Sequence, residues 1–335
     1  MEFLYDRGEK MVTLKEVAKE AGLTVGTVSR VLNNRGYISD DAREKVYSAM
    51  KKLKYHPNEV ARSLQGKSTN TIGLIVPHIR HPYFAEMISN IENQAYKKGY
   101  QILLCNSQSI EEKEREYIDI CTGNRVAGII LCSGTVSVDM FDGIHVPVVT
   151  MERFLDNGTA AVECDNRQGG ELAAEKLISC GCKHLLHMGN INSISMPADQ
   201  RTEGFREVCE KKGVAFNEVF TEQTQYHDMK YDQMIEAALQ EHPETDGLFV
   251  NSDVIAAQTL QICRKLGIQV PKQMKIIGFD DVNIAALTTP QLTTVHQPVR
   301  EMAEIAINLL HDAISGKIVP KRTVLPVYLV ERETT

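Results

Sequence analysis

The sequence predicts an all-α helix-turn-helix head followed by an α/β body of two doubly wound parallel-sheet lobes. Near the N-terminus, two short amphipathic helical patterns are joined by a turn that contains glycine. From Thr71 onward, short apolar runs alternate with longer amphipathic stretches, which is typical of parallel sheets covered by helices on both faces. Because about 265 residues are too many for one such sheet, we expect two lobes.

Three helices are expected in the head. Thr13 followed by Glu16 has the spacing of a capping box, so a first helix begins after Thr13 and ends at Gly22. A second helix is predicted over Val25–Leu32 and a third over about 40–52. The short turn between the first two helices is that of a helix-turn-helix. A plain three-helix packing unit is the alternative interpretation of this pattern.

Charge is divided unevenly along the chain. Residues 11–67 carry 11 Lys and Arg against 6 Asp and Glu, a net charge of +5, whereas residues 68–335 have a net charge of −11. A small basic head on a large acidic body indicates that only the head meets a polyanion. Chance variation in a small domain is the alternative explanation. For residues 1–10 we expect a disordered tail or a start-site artefact.

Two stretches of the head resemble one family. The residues V-T-L-K-E-V-A-K-E-A-G-L-T-V-G-T-V-S-R-V-L-N (12–33) and Y-H-P-N-E-V-A-R-S-L (55–64) resemble the LacI/GalR family of bacterial transcription repressors. The resemblance implies a helix-turn-helix DNA-binding domain over 11–57. It also implies a hinge helix and linker over 58–69, and the residues N-E-V-A-R-S-L at its start do have an amphipathic helical pattern.

The same resemblance implies which residues contact DNA. Val25, Gly26 and Arg30 would read bases in the major groove, and Leu64 would be a wedge in the minor groove. A longer side chain is common in the family at the position of Gly26, which leaves the operator preference there open. The complete predicted set is Thr13, Thr24, Val25, Gly26, Thr27, Ser29, Arg30, Asn33, Tyr37, Asn58, Ala61, Arg62 and Leu64.

The alternation of the body predicts seven strands and six helices, with the chain crossing between lobes near 165, 296 and 327. This assigns about 70–165 and 297–326 to an N-lobe, and about 166–296 and 327–335 to a C-lobe. The strands are expected at Ile72–Val76, Ile102–Cys105, Gly128–Leu131, Val146–Thr150, Leu185–Met188, Gly247–Val250 and Lys275–Phe279, and the helices near 83–98, 110–123, 167–180, 200–212, 229–240 and 254–266.

Groups suited to a polyol follow several predicted strands, where open parallel sheets bind ligands. The pieces H-P-Y-F (81–84), E-R (152–153), D-Q-R-T-E-G-F (199–205), I-I-G-F-D-D (276–281) and L-T-T-V-H-Q-P (292–298) also resemble the periplasmic-binding-protein-like body of that family. The implied ligand set is Tyr83, Phe84, Glu152, Arg153, Arg201, Tyr226, Asp253 (or Ser252), Asp280 and Gln297.

Each of these residues could instead have a purely structural role. Asp and Arg at strand ends often cap helices or form salt bridges between lobes, and this applies most to Arg153 and Asp253. Tyr83 and Phe84 could belong to the core. Aspartate is commoner in the family at the position of Glu152, which leaves its contact open.

Other classes of site find little support. The pairs His78 and His81, and His184 and His187, are too few for a metal centre, and alternation along a strand separates the second pair. Gly66-Lys67-Ser68 lacks the upstream glycine of a phosphate-binding loop. No catalytic motif such as GxSxG or HExxH occurs, so we expect no enzyme, no metal and no cofactor beyond a small effector. Scattered cysteines and the absence of long apolar runs predict a cytoplasmic protein without membrane contact.

The resemblance implies a homodimeric repressor of a carbohydrate-utilisation operon that binds a pseudo-palindromic operator. A sugar or sugar phosphate between the lobes would control it, and sequence pieces similar to sucrose, fructose and ribose repressors favour that group. No heptad tail follows the body, which predicts a dimer. Two alternatives remain: a catabolite-control-type regulator with a phosphoprotein or purine corepressor, and a sugar-binding module without a DNA role. Whether the effector induces or corepresses is open.

Overall fold

The computed structural model describes residues 12–32, 36–55, 69–135, 141, 143–190 and 196–335. The chain divides into two compact units, Met1–Lys67 and Ser68–Thr335, which we call the head and the body. No helix in the described ranges is long and apolar enough to cross a membrane. Several predicted features lie outside the described residues: the tail 1–10, Asn33, and the hinge helix with Asn58, Ala61, Arg62 and Leu64.

The head contains three helices at the predicted positions: α1 (Leu14–Ala21), α2 (Val25–Leu32) and α3 (Asp40–Leu53). The Thr13 hydroxyl accepts a hydrogen bond from the Glu16 backbone, and the Glu16 carboxylate accepts one from the Thr13 backbone at 2.7 Å. This is a complete capping box. Gly22 ends α1 in the left-handed conformation, with φ of 65°.

A small apolar core joins the three helices. Val17 of α1, Val28 and Val31 of α2, and Val46 and Ala49 of α3 are all buried in it. Because Val28 and Val31 lie one helical turn apart, they direct one face of α2 inward. The opposite face of α2 is thereby left for contact with another molecule.

The N-lobe is built on a parallel sheet, here described in chain order. Its strands are β1 (Thr71–Val76), β2 (Gln101–Asn106), β3 (Gly128–Leu131), β4 (Val148–Met151), β5 (Ala160–Cys164) and β11 (Arg322–Leu325), and its helices are α4 (Pro82–Lys97), α5 (Glu111–Gly123) and α12 (Val299–Ile314). The strand order across the sheet is β11-β5-β4-β3-β1-β2.

The C-lobe repeats this architecture. Its strands are β6 (His184–Asn190), β7 (Ala215–Thr221), β8 (Gly247–Val250), β9 (Lys275–Asp280), β10 (Thr293–His296) and β12 (Tyr328–Val330), and its helices are α6 (Asn166–Ser179), α7 (Gln200–Lys212), α8 (Gln223–Asp228), α9 (Asp232–Glu241), α10 (Asp253–Leu266) and α11 (Asn283–Leu287). The order is β12-β10-β9-β8-β6-β7, and only β12 runs antiparallel to its neighbour.

Both faces of the N-lobe sheet are covered, as β1 shows. Ile72 and Leu74 belong to the same buried cluster as Met87 of α4, whereas Ile75 belongs to a second cluster with Ile118 of α5. Alternate side chains of a strand point to opposite faces, so helices cover the sheet on both sides.

The chain passes between the two sheets three times. It leaves the N-lobe sheet after Cys164, returns to it after His296 by way of Gln297, and leaves it again after Leu325. These passages lie within about two residues of the predicted crossings.

Some elements lie where we predicted none, namely β5, β7, β10, β11, β12, α8, α11 and α12. Several predicted boundaries also differ from the structure by one to three residues, and the start of α9 differs by three. Helix α9 begins at Asp232 rather than near 229, because Met229 has a left-handed backbone, with φ of 53°, that interrupts the helical pattern.

Candidate functional site

The outward face of α2 carries small side chains and one arginine. Val25 is 41% exposed, Gly26 and Arg30 are exposed, and Ser29 is half-buried. Among the described residues, a Cβ atom at Gly26 would meet only Thr24 Oγ1, at 3.7 Å, so the described part of the head does not crowd this position. Such a face lets a helix approach base edges closely, and an arginine can bridge two acceptors of guanine.

Threonine hydroxyls hold the start of this helix. The Thr27 backbone N–H donates to Thr24 Oγ1 at 3.1 Å, and the two hydroxyl oxygens lie 2.9 Å apart. The Thr13 hydroxyl similarly donates to the Glu16 carboxylate at 2.9 Å. Tyr37, beyond α2, is 96% exposed, so the structure presents an aromatic hydroxyl at the surface of the head.

In the body, a cavity of about 200 Å³ lies between the N-lobe and the C-lobe. Its wall is formed by residues that follow the carboxyl ends of strands in both sheets, which is where open parallel sheets bind ligands. Seven of the nine predicted ligand residues line it: Tyr83, Phe84, Glu152, Arg201, Tyr226, Asp280 and Gln297.

Arg201 is held on the cavity wall by three contacts. Its Nε donates to Asn166 Oδ1 at 2.7 Å, and its Nη1 donates to the Asn251 carbonyl at 2.9 Å. The guanidinium carbon lies 3.6 Å from the centre of the Phe279 ring, a cation–π contact. The residue is only 5% exposed. Arg201 is therefore preorganised, and a ligand need not order it.

Two glycines allow the helices that carry this arrangement to touch. A Cβ atom at Gly170 of α6 would lie 2.0 Å from the Arg201 carbonyl oxygen. A Cβ atom at Gly204 of α7 would lie 2.2 Å from the Arg167 carbonyl oxygen. Only glycine permits this approach, which brings Arg201 at the start of α7 to Asn166 at the start of α6.

Glu152 follows β4 in a left-handed conformation, with φ of 52°. Its Oε1 accepts a hydrogen bond from the Cys164 backbone at 2.6 Å, and its Oε2 accepts one from Asn166 Nδ2 at 2.7 Å. Burial raises the pKa of this carboxyl, while the nearby Arg201 opposes the rise. The strained turn and the two hydrogen bonds together fix the carboxyl at the cavity.

Asp280 ends β9 with φ of 115°, another strained position. Its Oδ1 accepts a hydrogen bond from Gln297 Nε2 at 2.6 Å. Burial raises the pKa of Asp280 to about 7, although Arg201 and this hydrogen bond act in the opposite direction. Because Gln297 lies where the chain passes between sheets, the bond ties the cavity to that passage.

Aromatic side chains from both lobes meet across the cleft. Tyr83 and Phe84 pack edge to face, with ring centres 5.1 Å apart. His78 of the N-lobe approaches Tyr226 of α8, with ring centres 5.0 Å apart. Burial lowers the pKa values of His78 and His81 to about 4, so both imidazoles are neutral at physiological pH.

Several buried polar atoms on the cavity wall have no hydrogen-bond partner among the described residues. Five lining side chains contribute one such atom each: His81 Nδ1, Tyr83 Oη, Ser133 Oγ, Asn251 Oδ1 and Gln297 Oε1. An unpaired buried polar group costs about 1–3 kcal/mol, so natural proteins rarely leave it without a partner. A ligand with several hydroxyl groups, each both donor and acceptor, can pair with all five.

Two predicted ligand residues do not line the cavity. Arg153 is 3% exposed, donates to the Ser133 carbonyl at 3.1 Å and lies 3.6 Å from the Glu114 carboxylate. Asp253 is fully buried and accepts a hydrogen bond from the Thr294 hydroxyl at 2.6 Å. Each makes these contacts within its own lobe, and its direct contact with a ligand stays a prediction. Ser252, the alternative to Asp253, does line the cavity.

Sequence reasoning also missed several polar residues of the wall, among them Ser133, Asn251 and Glu222. Asn251 immediately follows β8, and Ser133 lies two residues beyond β3. Their positions after strand ends were the signal that could have identified them. Asn166, which holds both Glu152 and Arg201, carried no comparable signal.

Two protein-family models match the chain. Residues 13–58 match the model of bacterial regulatory proteins of the lacI family, and residues 174–335 match a periplasmic binding protein-like domain. The first match covers α1, α2 and α3 of the head. The second covers most of the C-lobe together with α12 and β11 of the N-lobe.

Similar proteins span nearly the whole chain. The ribose operon repressor of Halalkalibacterium halodurans is 36% identical over 326 residues, 97% of both chains. The sucrose operon repressor of Streptococcus mutans is 36% identical over 321 residues, 96% of this chain and 98% of the relative. A LacI transcriptional regulator from Alkaliphilus metalliredigens, solved with D-xylulofuranose, is 33% identical with a TM-score of 0.71, covering 80% of this chain and 99% of that one.

These matches agree with the two predicted regions: a helix-turn-helix head with an open reading helix, and a two-lobed body with a polar cleft. Identity above 30% extends over almost the full length of curated relatives. The chain belongs to the LacI family of bacterial regulatory proteins.

Proposed function

We propose that this protein represses a carbohydrate-utilisation operon and that a sugar bound between the lobes is its effector. The observation that carries the effector assignment is the set of five unpaired polar atoms on one cavity wall. The names of the relatives, which are repressors of ribose and sucrose operons, support the same assignment. No chemical step is assigned to the cleft.

For the DNA role, we propose that α2 enters the major groove. Val25, Gly26 and Arg30 would face base edges, since they are exposed on the outward side of α2. Thr24, Thr27, Ser29 and Tyr37 would contact the backbone. In this proposal two subunits bind the two halves of a pseudo-palindromic operator, and the hinge residues 58–64 insert Leu64 into the minor groove.

Ligand control requires that the sugar distinguish two states of the protein. A ligand that binds the DNA-competent and DNA-incompetent states equally well shifts neither. The hydrogen bond between Asp280 and Gln297 joins the cavity to the passage between the sheets, so a ligand that reaches this pair can bias the arrangement of the lobes. Coupling of this kind is reciprocal: the operator must also change the affinity for the sugar.

A thermal-shift screen tests the effector assignment. The full-length protein is heated with sugars, sugar phosphates and purines, and a ligand at 100 times its Kd adds about 2.7 kcal/mol of stability. We expect a sugar to give the shift. A shift with purines alone would replace the proposal by the corepressor alternative, and no shift with any of the three classes would refute the cleft as a small-ligand site.

A binding experiment tests the DNA role separately. Fragments bound by the protein are selected from a random-sequence DNA library and then measured by fluorescence anisotropy. We expect enrichment of a pseudo-palindrome. Failure to enrich any sequence would refute sequence-specific binding and would favour a sugar-binding module without a DNA role.

A further inference from the structure

The charges on the cavity wall are unbalanced. Three carboxyl side chains line the cavity, those of Glu152, Glu222 and Asp280, against the single guanidinium of Arg201. No lysine occurs among the described lining residues. A dianionic group placed here would be opposed by these carboxyls and would raise further the pKa values of Glu152 and Asp280, which burial already raises.

Arg201, the one cation among the described lining residues, already donates hydrogen bonds within the protein. Two of the three nitrogens of Arg201 donate to protein oxygens, those of Asn166 and Asn251, and its planar face lies against Phe279. A bidentate grip on a phosphate needs two parallel N–H groups of one guanidinium. Three of the five N–H groups of Arg201 remain for a ligand, but this one guanidinium also faces the carboxyls of Glu152 and Asp280, so its single charge cannot in addition neutralise a dianionic phosphate.

The buried polar groups of the wall that have no hydrogen-bond partner among the described residues are uncharged. They are two hydroxyls, two amide oxygens and the imidazole of His81. Burial lowers the pKa of His81 to about 4, so its imidazole is neutral. At the start of α4, Pro82 removes one of the backbone N–H groups that a helix start offers to an anion. The first turn of α10 carries the carboxylate of Asp253. Among the described residues, the unpaired groups of the wall thus suit hydroxyl groups and add no cation to Arg201.

The size of the cavity adds a second restriction. About 200 Å³ is below the range of about 300–1,000 Å³ typical of pockets for drug-sized ligands. Phe84 and Tyr226 further narrow the space from opposite lobes. A cavity of this size favours one sugar ring over two linked rings.

We propose that the effector is an uncharged single-ring sugar and that a phosphate group on the same sugar prevents binding. This inference rests on the proposed function, since it takes the cleft to be the effector site. The regulator then senses the substrate of a sugar-phosphorylating reaction rather than its product. The alternative of a sugar phosphate effector, open from the sequence, is the outcome that this proposal excludes.

Matched pairs of ligands test the proposal by isothermal titration calorimetry on the full-length protein. The pairs are D-ribose with D-ribose 5-phosphate, and D-fructose with D-fructose 6-phosphate; sucrose probes the size limit. We expect one neutral monosaccharide to bind and its phosphate to bind at least about 100-fold more weakly. Sucrose should bind more weakly than that monosaccharide.

The outcomes separate this proposal from the proposed function. A phosphorylated sugar that binds as tightly as its neutral partner, or more tightly, overturns the inference and leaves a sugar-responsive regulator. Sucrose binding more tightly than either monosaccharide overturns the single-ring limit. If none of the five ligands binds, the inference and the choice of these sugars as effectors fail together, while purine binding in the thermal-shift screen would identify the corepressor alternative.

A charge substitution at the wall tests the electrostatic reason. Ala198 lines the cavity on the short 3-10 turn before α7 and is half-buried. Ala198→Lys adds a cation, and Ala198→Met adds a chain of similar length without charge. We expect the lysine variant to bind the phosphorylated sugar at least about tenfold more tightly than the methionine variant does. Equal affinities in the two variants would show that charge is not the filter and would overturn the inference.

Discussion

The reading face of the head and the cleft of the body are built in opposite ways. The head presents exposed side chains from one short helix, α2, whose core contacts come from Val28 and Val31 on the other side. The cleft gathers buried side chains from loops spread from Pro77 to Gln297. In our proposal, the reading of bases in the major groove depends on one short helix, whereas ligand binding depends on the whole fold of the body.

This difference has an energetic consequence. An exposed residue of α2 contributes little to folding, so its substitution changes DNA affinity and leaves stability nearly unchanged. Residues of the cleft are buried, hydrogen-bonded or strained, as Arg201, Glu152 and Asp280 show. Their substitution changes both ligand affinity and stability. The predictions below test this contrast, beginning with the largest expected effect.

Replacement of Arg201 should have the largest effect. Arg201→Ala removes a buried cation between Asn166, the Asn251 carbonyl and Phe279. We expect loss of detectable sugar binding and a stability loss of about 1–3 kcal/mol from the buried acceptors left without a donor, measured by calorimetry and by denaturant unfolding. Arg206→Ala is the matched control on the same helix, because Arg206 is 41% exposed and pairs with Glu218. It should cost less than about 1 kcal/mol. Equal losses would contradict the assignment.

The next effect is a pH-dependent change of stability. Because the pKa of Asp280 rises from 3.8 to about 7 on folding, the folded protein holds this proton more tightly than the unfolded chain. Its contribution to stability is complete below about pH 4 and is lost as the pH rises through about 7. The side chain of an asparagine cannot ionise. At pH 8, the Asp280→Asn variant should therefore be more stable than the unchanged protein by up to about 3 kcal/mol.

Thermal unfolding at pH 5 and pH 8 checks this difference, which should shrink at the lower pH. Asp312→Asn serves as a control of opposite sign, since Lys317 lowers the pKa of that exposed carboxyl. A gain from Asp280→Asn that is the same at both pH values would rule out ionisation as its cause.

In the head, Arg30→Ala should weaken DNA binding without unfolding. Loss of one arginine contact to a guanine costs about 1–3 kcal/mol of binding and relaxes the preference at that base. Anisotropy titrations with the selected operator measure the affinity, and the melting temperature should stay unchanged. Lys45→Ala, which removes an exposed cation paired with Asp41 on α3, should change binding less. An equal loss in both variants would indicate a general charge effect rather than base reading.

The smallest expected effect concerns Gly26. Alanine fits here, since its Cβ atom would meet only Thr24 Oγ1 at 3.7 Å. Gly26→Ala should stabilise the head by about 0.5–1 kcal/mol, because glycine is the weaker helix former. It should also alter the operator preference, which selection from the random library would show. A loss of stability would show that the space beside α2 does not accommodate the methyl group of alanine.

The same contrast explains what the sequence could predict. Both α1 and α2 lie at their predicted positions, since capping residues and apolar spacing act within one turn of helix. The predicted strands of the body were also found, because their apolar runs are continuous. Strand β5 was missed because Ala160-Ala161-Val162-Glu163-Cys164 has few of the branched residues that favour strands. Helix α12 was missed although its apolar spacing, from Val299 to Leu310, is regular.

The wall of the cleft was harder to predict for a physical reason. Arg153 and Glu152 are neighbours in sequence, yet only Glu152, which has a left-handed backbone, lines the cavity. Asn251 matters because α7 brings Arg201 to its carbonyl, a contact over fifty residues of sequence. Such positions depend on packing between α6 and α7 at Gly170 and Gly204, which no local pattern reveals.

The most direct measurement of the central claim is the coupling between cleft and operator. The Kd for the selected operator is measured by anisotropy with and without a saturating neutral monosaccharide, and the Kd for the sugar with and without operator. We predict that each ligand changes the affinity for the other by the same factor, at least about fivefold, and that Arg201→Ala removes the change. A sugar that saturates the cleft while leaving the operator Kd unchanged would contradict the claim that the cleft controls the head.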